Sequence, residues 1–287
     1  MSSHIEVYEI NNGKMKELNG EEFKKERELQ NLVENNLETI LGVKFLATEY
    51  VIENGRIDTL GIDENNSPVI IEYKRNQHEN IITQSLFYLD WINTHRGDFQ
   101  ILVQEKLSKE ISDNINWNNP SVFCIAKEFS RYDANAVNIM QRNIKLVKYK
   151  HYSNNTLLFE YINQPISNKI NKPIINKKPM NKKESNVYEL YKIIEKNIFE
   201  FGDDIEKIEQ KHYIAYKRIK NFCCLELLKN SIKLAIKLNL DEYKNDDFVR
   251  DVTNIGHYGV GNAQLIINNE EDAIKAINYI KKSYDEN

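Results

Sequence analysis

The sequence has few of the residues that define the specialised protein classes. Its 287 residues include only three cysteines, five prolines and ten glycines. Three cysteines cannot form a disulfide framework, and Cys124, Cys223 and Cys224 lack a zinc-binding spacing. No stretch approaches the roughly 20 apolar residues of a membrane-spanning helix, and the first residues lack the basic and apolar pattern of a signal peptide. We therefore expect a cytoplasmic protein without a membrane partner.

Composition and charge indicate two domains joined by a linker. Hydrophobic residues make up 41% of the chain and charged residues 29%, which is enough for two buried cores at this length. The net charge is −4, but residues 161–183 contain six lysines and no acid, so the other residues carry −10. The same stretch holds three of the five prolines. This composition predicts an exposed basic linker at 163–185, between domains at 1–162 and 186–287.

Hydrophobic periodicity predicts a different architecture for each domain. In residues 1–162, helical and β-type segments alternate, which is typical of an α/β domain with helices flanking a mixed sheet. The helices are expected at 20–41 and 80–94, and the strands at 44–51, 56–63, 69–74, 99–104 and 121–126. Residues 186–287 begin and end with helical patterns, at 187–199 and 270–284, around four β-type runs. This predicts a small α+β domain with a mainly antiparallel sheet.

Two consecutive predicted strands carry three charged residues in a recognisable pattern. Glu72 and Lys74 lie two residues apart at the end of a strand that begins with apolar residues, so they share one face. A three-residue turn at 65–67 would place Asp58 opposite Lys74 and diagonal to Glu72. A four-residue turn would instead point Asp58 to the other face. The sequence thus predicts that the three side chains converge.

Such a group suits hydrolysis of a phosphodiester. Two carboxylates held close repel each other unless a cation or a proton lies between them. Their hard oxygen ligands suit Mg²⁺ or Mn²⁺. A bound ion of this kind activates water and polarises a phosphoryl oxygen. A neighbouring lysine orients the water or offsets the growing charge.

These residues resemble the core of the PD-(D/E)XK nuclease superfamily. The resemblance is closest to its NucS-like and RecB-like branch and covers residues 25–150. It rests on Asp58, on Glu72-Tyr73-Lys74, on an acid in the first helix, and on the Gln-x-x-x-Tyr pattern of Gln84 to Tyr88. The sequence departs from the pattern in having Ile57 before the aspartate and in placing the nuclease-like domain first. The resemblance implies a restriction-endonuclease-like fold, and residues 186–287 resemble a domain of unknown function found behind such nuclease domains.

The resemblance also implies a set of metal ligands. Asp58 and Glu72 would bind Mg²⁺ or Mn²⁺ together with the backbone carbonyl of Tyr73. The acid on the first helix is assigned to Glu34, as a direct or outer ligand. Glu38 follows four residues later and is the alternative.

Further roles and partners follow from the same resemblance. Lys74 would position the nucleophile, while Gln84 and Tyr88, on one helix face, would orient the site or touch the phosphate backbone. The expected function is a metal-dependent DNA endonuclease acting in repair or defence, with RNA as a possible substrate and a homodimer as a possible assembly. The alternatives are a catalytically inactive nucleic-acid-binding module and a protein-interaction module on the same fold.

Overall fold

The computed structural model describes residues 5–74, 81–140, 142–162 and 182–286. Their contacts divide the chain into two compact units. The first extends to residue 162 except for residues 41–43 and 63–66, which belong with the second. Of the predicted linker at 163–185, residues 163–181 lie outside the described residues. Among the described residues, no helix is long and apolar enough to cross a membrane.

The first unit is built on a mixed sheet with helices on both faces. Its strands have the order β3-β8-β7-β6-β5-β4, and β9 pairs with β8. Its helices are α1 (Glu26–Glu34), α2 (Leu37–Leu41), α3 (Ile81–Thr94), α4 (Arg96–Lys106), α5 (Lys109–Asp113) and α6 (Arg131–Met140). Its strands are β1 (Tyr8–Asn11), β2 (Lys14–Glu17), β3 (Gly20–Glu21), β4 (Val43–Ile52), β5 (Gly55–Asp63), β6 (Pro68–Lys74), β7 (Ser121–Ala126), β8 (Ile144–Tyr152) and β9 (Thr156–Tyr161). This confirms the predicted restriction-endonuclease-like class, with β1 and β2 forming a separate hairpin.

The centre of this sheet combines both kinds of strand pairing. Strand β6 is antiparallel to β5 and parallel to β7, which is parallel to β8. Helix α3 packs on β6 and β7, and helix α1 packs on β6. Side chains alternate along a strand, so Ile70 and Glu72 point to one face of β6 and Ile71 and Tyr73 to the other. The apolar residues of β6 are buried on both faces, which fixes the position of the strand.

The predicted register of the β5–β6 hairpin was wrong by two residues. The strands pair Thr59 with Ile71, and the same register holds up to the last pair, Ile62 with Pro68. One further step of the register puts Asp58 opposite Glu72, whereas the sequence analysis placed it opposite Lys74. Because the shift is even, Asp58 keeps the face it shares with Glu72 and Lys74.

The turn explains the shift, because five residues, 63–67, separate the last paired residues, Ile62 and Pro68. The Asp63 carboxylate accepts a hydrogen bond from the Asn65 amide at 2.9 Å, and the Asp63 carbonyl accepts one from the Asn66 amide at 3.0 Å. Asn66 has φ +56°, a left-handed conformation that asparagine tolerates in turns. The polar turn therefore begins at Asp63, two residues before the position assigned from sequence.

Two other predicted elements were also wrong. The single helix expected at 20–41 is divided into α1 and α2, with Asn35 and Asn36 at the break. The strand expected at 99–104 is part of helix α4. Phe99 and Val103 lie four residues apart and are buried, while Ile101 between them is 60% exposed. That spacing is helical, and the apolar run 101–103 concealed it.

The second unit has two helices and an antiparallel sheet with the order β10-β11-β12-β13-β15-β14. Its elements are α7 (Lys182–Phe199), β10 (Glu206–Glu209), β11 (Ile214–Lys217), β12 (Asn221–Leu227), β13 (Ile232–Ile236), β14 (Arg250–Asp251), β15 (Ala263–Ile267) and α8 (Glu270–Glu286). Ile194 and Ile198 of α7 and Ile280 of α8 are fully buried in its core. The predicted α+β class is confirmed.

Candidate active site

The two strand carboxylates, Asp58 of β5 and Glu72 of β6, lie next to each other. The backbone amide of Asp58 donates a hydrogen bond to Glu72 Oε1 at 3.1 Å. The backbone amide of Tyr73 donates one to Asp58 Oδ2 at 3.1 Å. Each carboxylate is thus held by the main chain of the strand pair, and their relative position is fixed by the sheet.

Hydrophobic packing carries Glu72 into the protein. Strand β6 begins with Val69, Ile70 and Ile71, which are all buried, and Glu72 itself is only 1% exposed. Full burial of an aliphatic side chain contributes roughly 1.5–3 kcal/mol, so these three residues offset the cost of placing a carboxyl group among them. Strand β5 contributes Leu60 and Ile62 in the same way. The core therefore determines where the acidic pair lies.

Burial changes the ionisation of both acids. It raises the pKa of Glu72 to about 9, and the charge of Asp58 adds to this, against the opposing effects of the Asp58 amide and of Lys74. Burial also raises the pKa of Asp58, while the Tyr73 amide and Lys74 lower it. At neutral pH and without a metal, the pair therefore holds a proton. A divalent cation bound here would replace that proton.

Three other predicted residues, Lys74, Gln84 and Tyr88, line one open groove with the acidic pair. Lys74 follows Glu72 on the same face, and its charge lowers the pKa of both acids. Gln84 is exposed on α3. Tyr88 is buried one turn later, and its hydroxyl donates a hydrogen bond to the Arg56 carbonyl at 2.9 Å. Tyr88 thus fixes the β4–β5 turn, while Gln84 and Lys74 point into the groove.

Glu34 lies on the opposite face of the sheet from the acidic pair. Its Oε1 accepts hydrogen bonds from the Thr59 hydroxyl at 2.6 Å and from Gln30 Nε2 at 3.0 Å. Thr59 is the strand neighbour of Asp58 and therefore points away from it. Glu38, the alternative, is exposed on α2. The structure does not bring Glu34 or Glu38 to the pair.

Glu26, at the start of α1, is the helix acid whose charge reaches Glu72, where it raises the pKa. Glu26 was not among the predicted site residues, because the predicted helix began at residue 20 and Glu26 did not stand out as part of a first turn. The signal that could have found it is the acidic first turn of α1, formed by Glu26 and Glu28.

Glu49 of β4 also escaped the sequence analysis. It has φ +51°, a left-handed conformation that residues other than glycine rarely adopt. Its two carboxylate oxygens pair with Arg27 Nη1 at 2.8 Å and with Arg56 Nε at 2.6 Å. Its charge also raises the pKa of Asp58. One carboxylate therefore holds two arginines beside the groove.

The donor set is compatible with Mg²⁺ or Mn²⁺. In the part of the chain that the structure describes, no group of three or more His, Cys, Asp or Glu side chains is arranged to hold a metal ion. Mg²⁺ is commonly held by one or two carboxylates, with water and substrate phosphate as its other ligands. Asp58 and Glu72 match that requirement, because they place two carboxylates at one site.

Comparisons with known families match two parts of the chain. Residues 25–115 match the family described as "Endonuclease NucS C-terminal domain". Residues 176–287 match "Domain of unknown function (DUF5655)". The chain thus combines a NucS-like nuclease fold with a DUF5655 domain.

Individual relatives extend this comparison. A protein of Haemophilus influenzae described as uncharacterized is 28% identical and covers 97% of this chain and 99% of its own length. A repair endonuclease from Pyrococcus abyssi is 18% identical, with a TM-score of 0.31 over 45% of this chain and 49% of that structure. An EndoMS–dsDNA complex is 18% identical, with a TM-score of 0.28 over 45% and 47%. This chain therefore matches about half the length of each of these two solved structures.

Proposed function

We propose that this protein is a metal-dependent DNA endonuclease that hydrolyses phosphodiester bonds at the acidic pair. The single observation that carries the proposal is the buried contact between Asp58 and Glu72, in which the Asp58 amide donates a hydrogen bond to Glu72 Oε1 at 3.1 Å and two carboxylates lie at one site. Buried acids of this kind, opening on a groove with a lysine, are typical of functional sites.

The residues of the groove have separate roles in the proposed reaction. Asp58 and Glu72, with the Tyr73 carbonyl, would hold Mg²⁺ or Mn²⁺. When bound, this ion would polarise a phosphoryl oxygen and lower the pKa of water. The Lys74 ammonium would orient the attacking water and offset charge on the phosphate.

The remaining groove residues would position the DNA. Gln84 is exposed beside Lys74 and would donate a hydrogen bond to a phosphate oxygen. Tyr88 would keep the β4–β5 turn against α3. Arg27 and Arg56, paired with Glu49, would contact the backbone next to the scissile phosphate, because arginine binds phosphate in a bidentate manner.

Cleavage of labelled double-stranded DNA by the full-length protein, with Mg²⁺ or Mn²⁺, tests the proposal. Asp58→Asn, Glu72→Gln and Lys74→Met should each lower the rate about 100-fold or more. Glu72→Gln resembles the protonated acid that the folded protein already holds, so this variant should fold. Asp90→Asn, which changes an exposed acid on α3, is the matched control and should cleave normally.

Two outcomes would contradict the proposal. If cleavage persisted unchanged in Asp58→Asn and Glu72→Gln, the activity would come from elsewhere. If the protein bound DNA without cutting it under any metal condition, the alternative of an inactive binding module would be correct. Parallel reactions with RNA of the same sequence would establish which nucleic acid is the substrate.

A further inference from the structure

A second cavity opens in the first unit, apart from the groove at the acidic pair. Its volume is 350 Å³, near the lower end of the range of roughly 300–1,000 Å³ that small-ligand sites occupy. Aromatic and charged side chains line it, including Phe23, Lys127, Lys148, Lys150, His151 and Glu160. The proposed reaction assigns no role to these residues.

This cavity lies at the same edge of the sheet as the acidic pair. In the parallel register, Lys74 pairs with Ala126, and Ala126 pairs with Lys148. Lys148 therefore lies level with the carboxyl ends of β6 and β7, while β8 continues beyond it to Tyr152. With about 4.8 Å between strands, Lys148 lies about 10 Å from Lys74, which equals about three stacked nucleotides at ~3.4 Å each.

Aromatic rings form one wall of the cavity. The rings of Phe23 and His151 stack with their centroids 4.7 Å apart and their planes at 15°. The centroid of the Tyr149 ring lies 5.9 Å from that of Phe23. The wall therefore offers a flat aromatic surface for a base.

The cavity also provides cations that can exchange partners. Lys148 pairs with Glu128 at 2.8 Å, and Lys127 pairs with Glu22. Ion pairs exposed to this extent contribute only about 0–1 kcal/mol, so a phosphate can replace the carboxylate. Lys150 is exposed at the same strand end.

We propose that this cavity binds one nucleotide of the DNA strand, a few positions from the phosphodiester held at Asp58 and Glu72. The base stacks on the Phe23 and His151 rings, and its phosphate contacts Lys148 and Lys150. Aromatic residues combined with lysines are the usual means of holding single-stranded nucleic acid. This inference rests on the proposed nuclease function.

Oligonucleotides with 2-aminopurine at successive positions would test the inference. Binding is measured with the full chain carrying Asp58→Asn, so that the DNA stays intact. The fluorescence should change at one position, a few nucleotides from the cleavage position mapped with the native protein. Phe23→Leu and Lys150→Gln should each remove that change and weaken binding about fivefold or more. Tyr132→Leu alters an aromatic residue that is 69% exposed on α6 and should bind normally.

The outcomes separate this inference from the function on which it rests. If the native protein cleaves DNA, but Phe23→Leu and Lys150→Gln both bind like the parent, the cavity does not hold a nucleotide and the inference is overturned. If the native protein neither binds nor cleaves DNA, the proposed function fails and the inference fails with it. Lys150 is exposed, so Lys150→Gln remains informative even if Phe23→Leu is poorly folded.

Discussion

Glu72 Oε1 accepts a hydrogen bond from the Asp58 backbone amide at 3.1 Å, so the glutamate is oriented by the residue whose charge opposes it. The contact holds both acids in place through the sheet. Because main-chain amides of the strand pair make these contacts, the fold itself positions the two acids and carries the cost of burying them. The contact should therefore affect proton release on metal binding and the free energy of unfolding.

The first prediction concerns the proton that metal binding displaces. Burial raises the pKa of Glu72 to about 9, so at pH 7 the metal-free site holds a proton that a cation must expel. We expect release of about one proton for each Mn²⁺ bound. Calorimetric titration in buffers of different ionisation enthalpy measures this number. Glu72→Gln should bind Mn²⁺ more weakly and release no proton, and a native binding enthalpy that did not depend on the buffer would contradict the prediction.

The second prediction concerns stability of the metal-free protein against pH. The pKa of Glu72 is raised from 4.5 in the folded state, so the unfolded chain loses this proton first as the pH rises. The contribution of Glu72 to the free energy of unfolding should therefore decrease between pH 4.5 and pH 9 and level off above.

Urea unfolding of the native protein and of Glu72→Gln, both with chelator, measures that decrease. The variant should gain stability relative to the native protein as the pH rises through this window. Glu38→Gln removes an exposed carboxyl group and is the control. A stability difference that did not vary with pH would show that Glu72 ionises normally.

The sequence was sufficient to predict the acidic pair but not its register. The two-residue period of strands places Asp58, Glu72 and Lys74 on one face whenever the turn has an odd number of residues. Whether the turn has three residues or five depends on the Asp63 side chain, which bonds to the Asn65 amide. That interaction is one of several that the same residues could make, so the pattern alone did not select it.

The helix acid could not be predicted, for a different reason. Glu26 and Glu34 are separated by about 12 Å along a helix, at 1.5 Å per residue. The sequence shows that an acidic amphipathic helix is present but not which of its turns lies beside the pair. That choice is made by the packing of α1 on β6, where Leu29 and Val33 are buried. Glu49 was missed because its left-handed backbone has no signature in the sequence.

The third prediction separates the two helix acids. Glu34→Ala leaves the buried Thr59 hydroxyl and the Gln30 amide without this acceptor, so it should lower the free energy of unfolding by about 1–3 kcal/mol. Its affinity for Mn²⁺ should not change. Glu26→Ala should alter stability little and weaken Mn²⁺ binding several-fold, because an acidic charge near Glu72 is lost. Urea unfolding and Mn²⁺ titration of both variants measure this, and loss of Mn²⁺ binding in Glu34→Ala would instead support Glu34 as a ligand.

The last prediction concerns Gly55, where the β4–β5 turn meets α3. A Cβ at Gly55 would lie 3.2 Å from Tyr88 Cε1 and 3.3 Å from its hydroxyl oxygen, so the ring must shift slightly, which strains its hydrogen bond to the Arg56 carbonyl. We expect Gly55→Ala to cost about 1–3 kcal/mol and to slow cleavage, because Tyr88 holds the turn beside the acidic pair. Gly97→Ala is the control, since a Cβ there meets nothing within 4 Å and alanine should stabilise helix α4 by roughly 0.5–1 kcal/mol. Thermal unfolding and the cleavage rate measure both effects, and equal behaviour of the two variants would show that the contact of Gly55 with Tyr88 does not constrain the site.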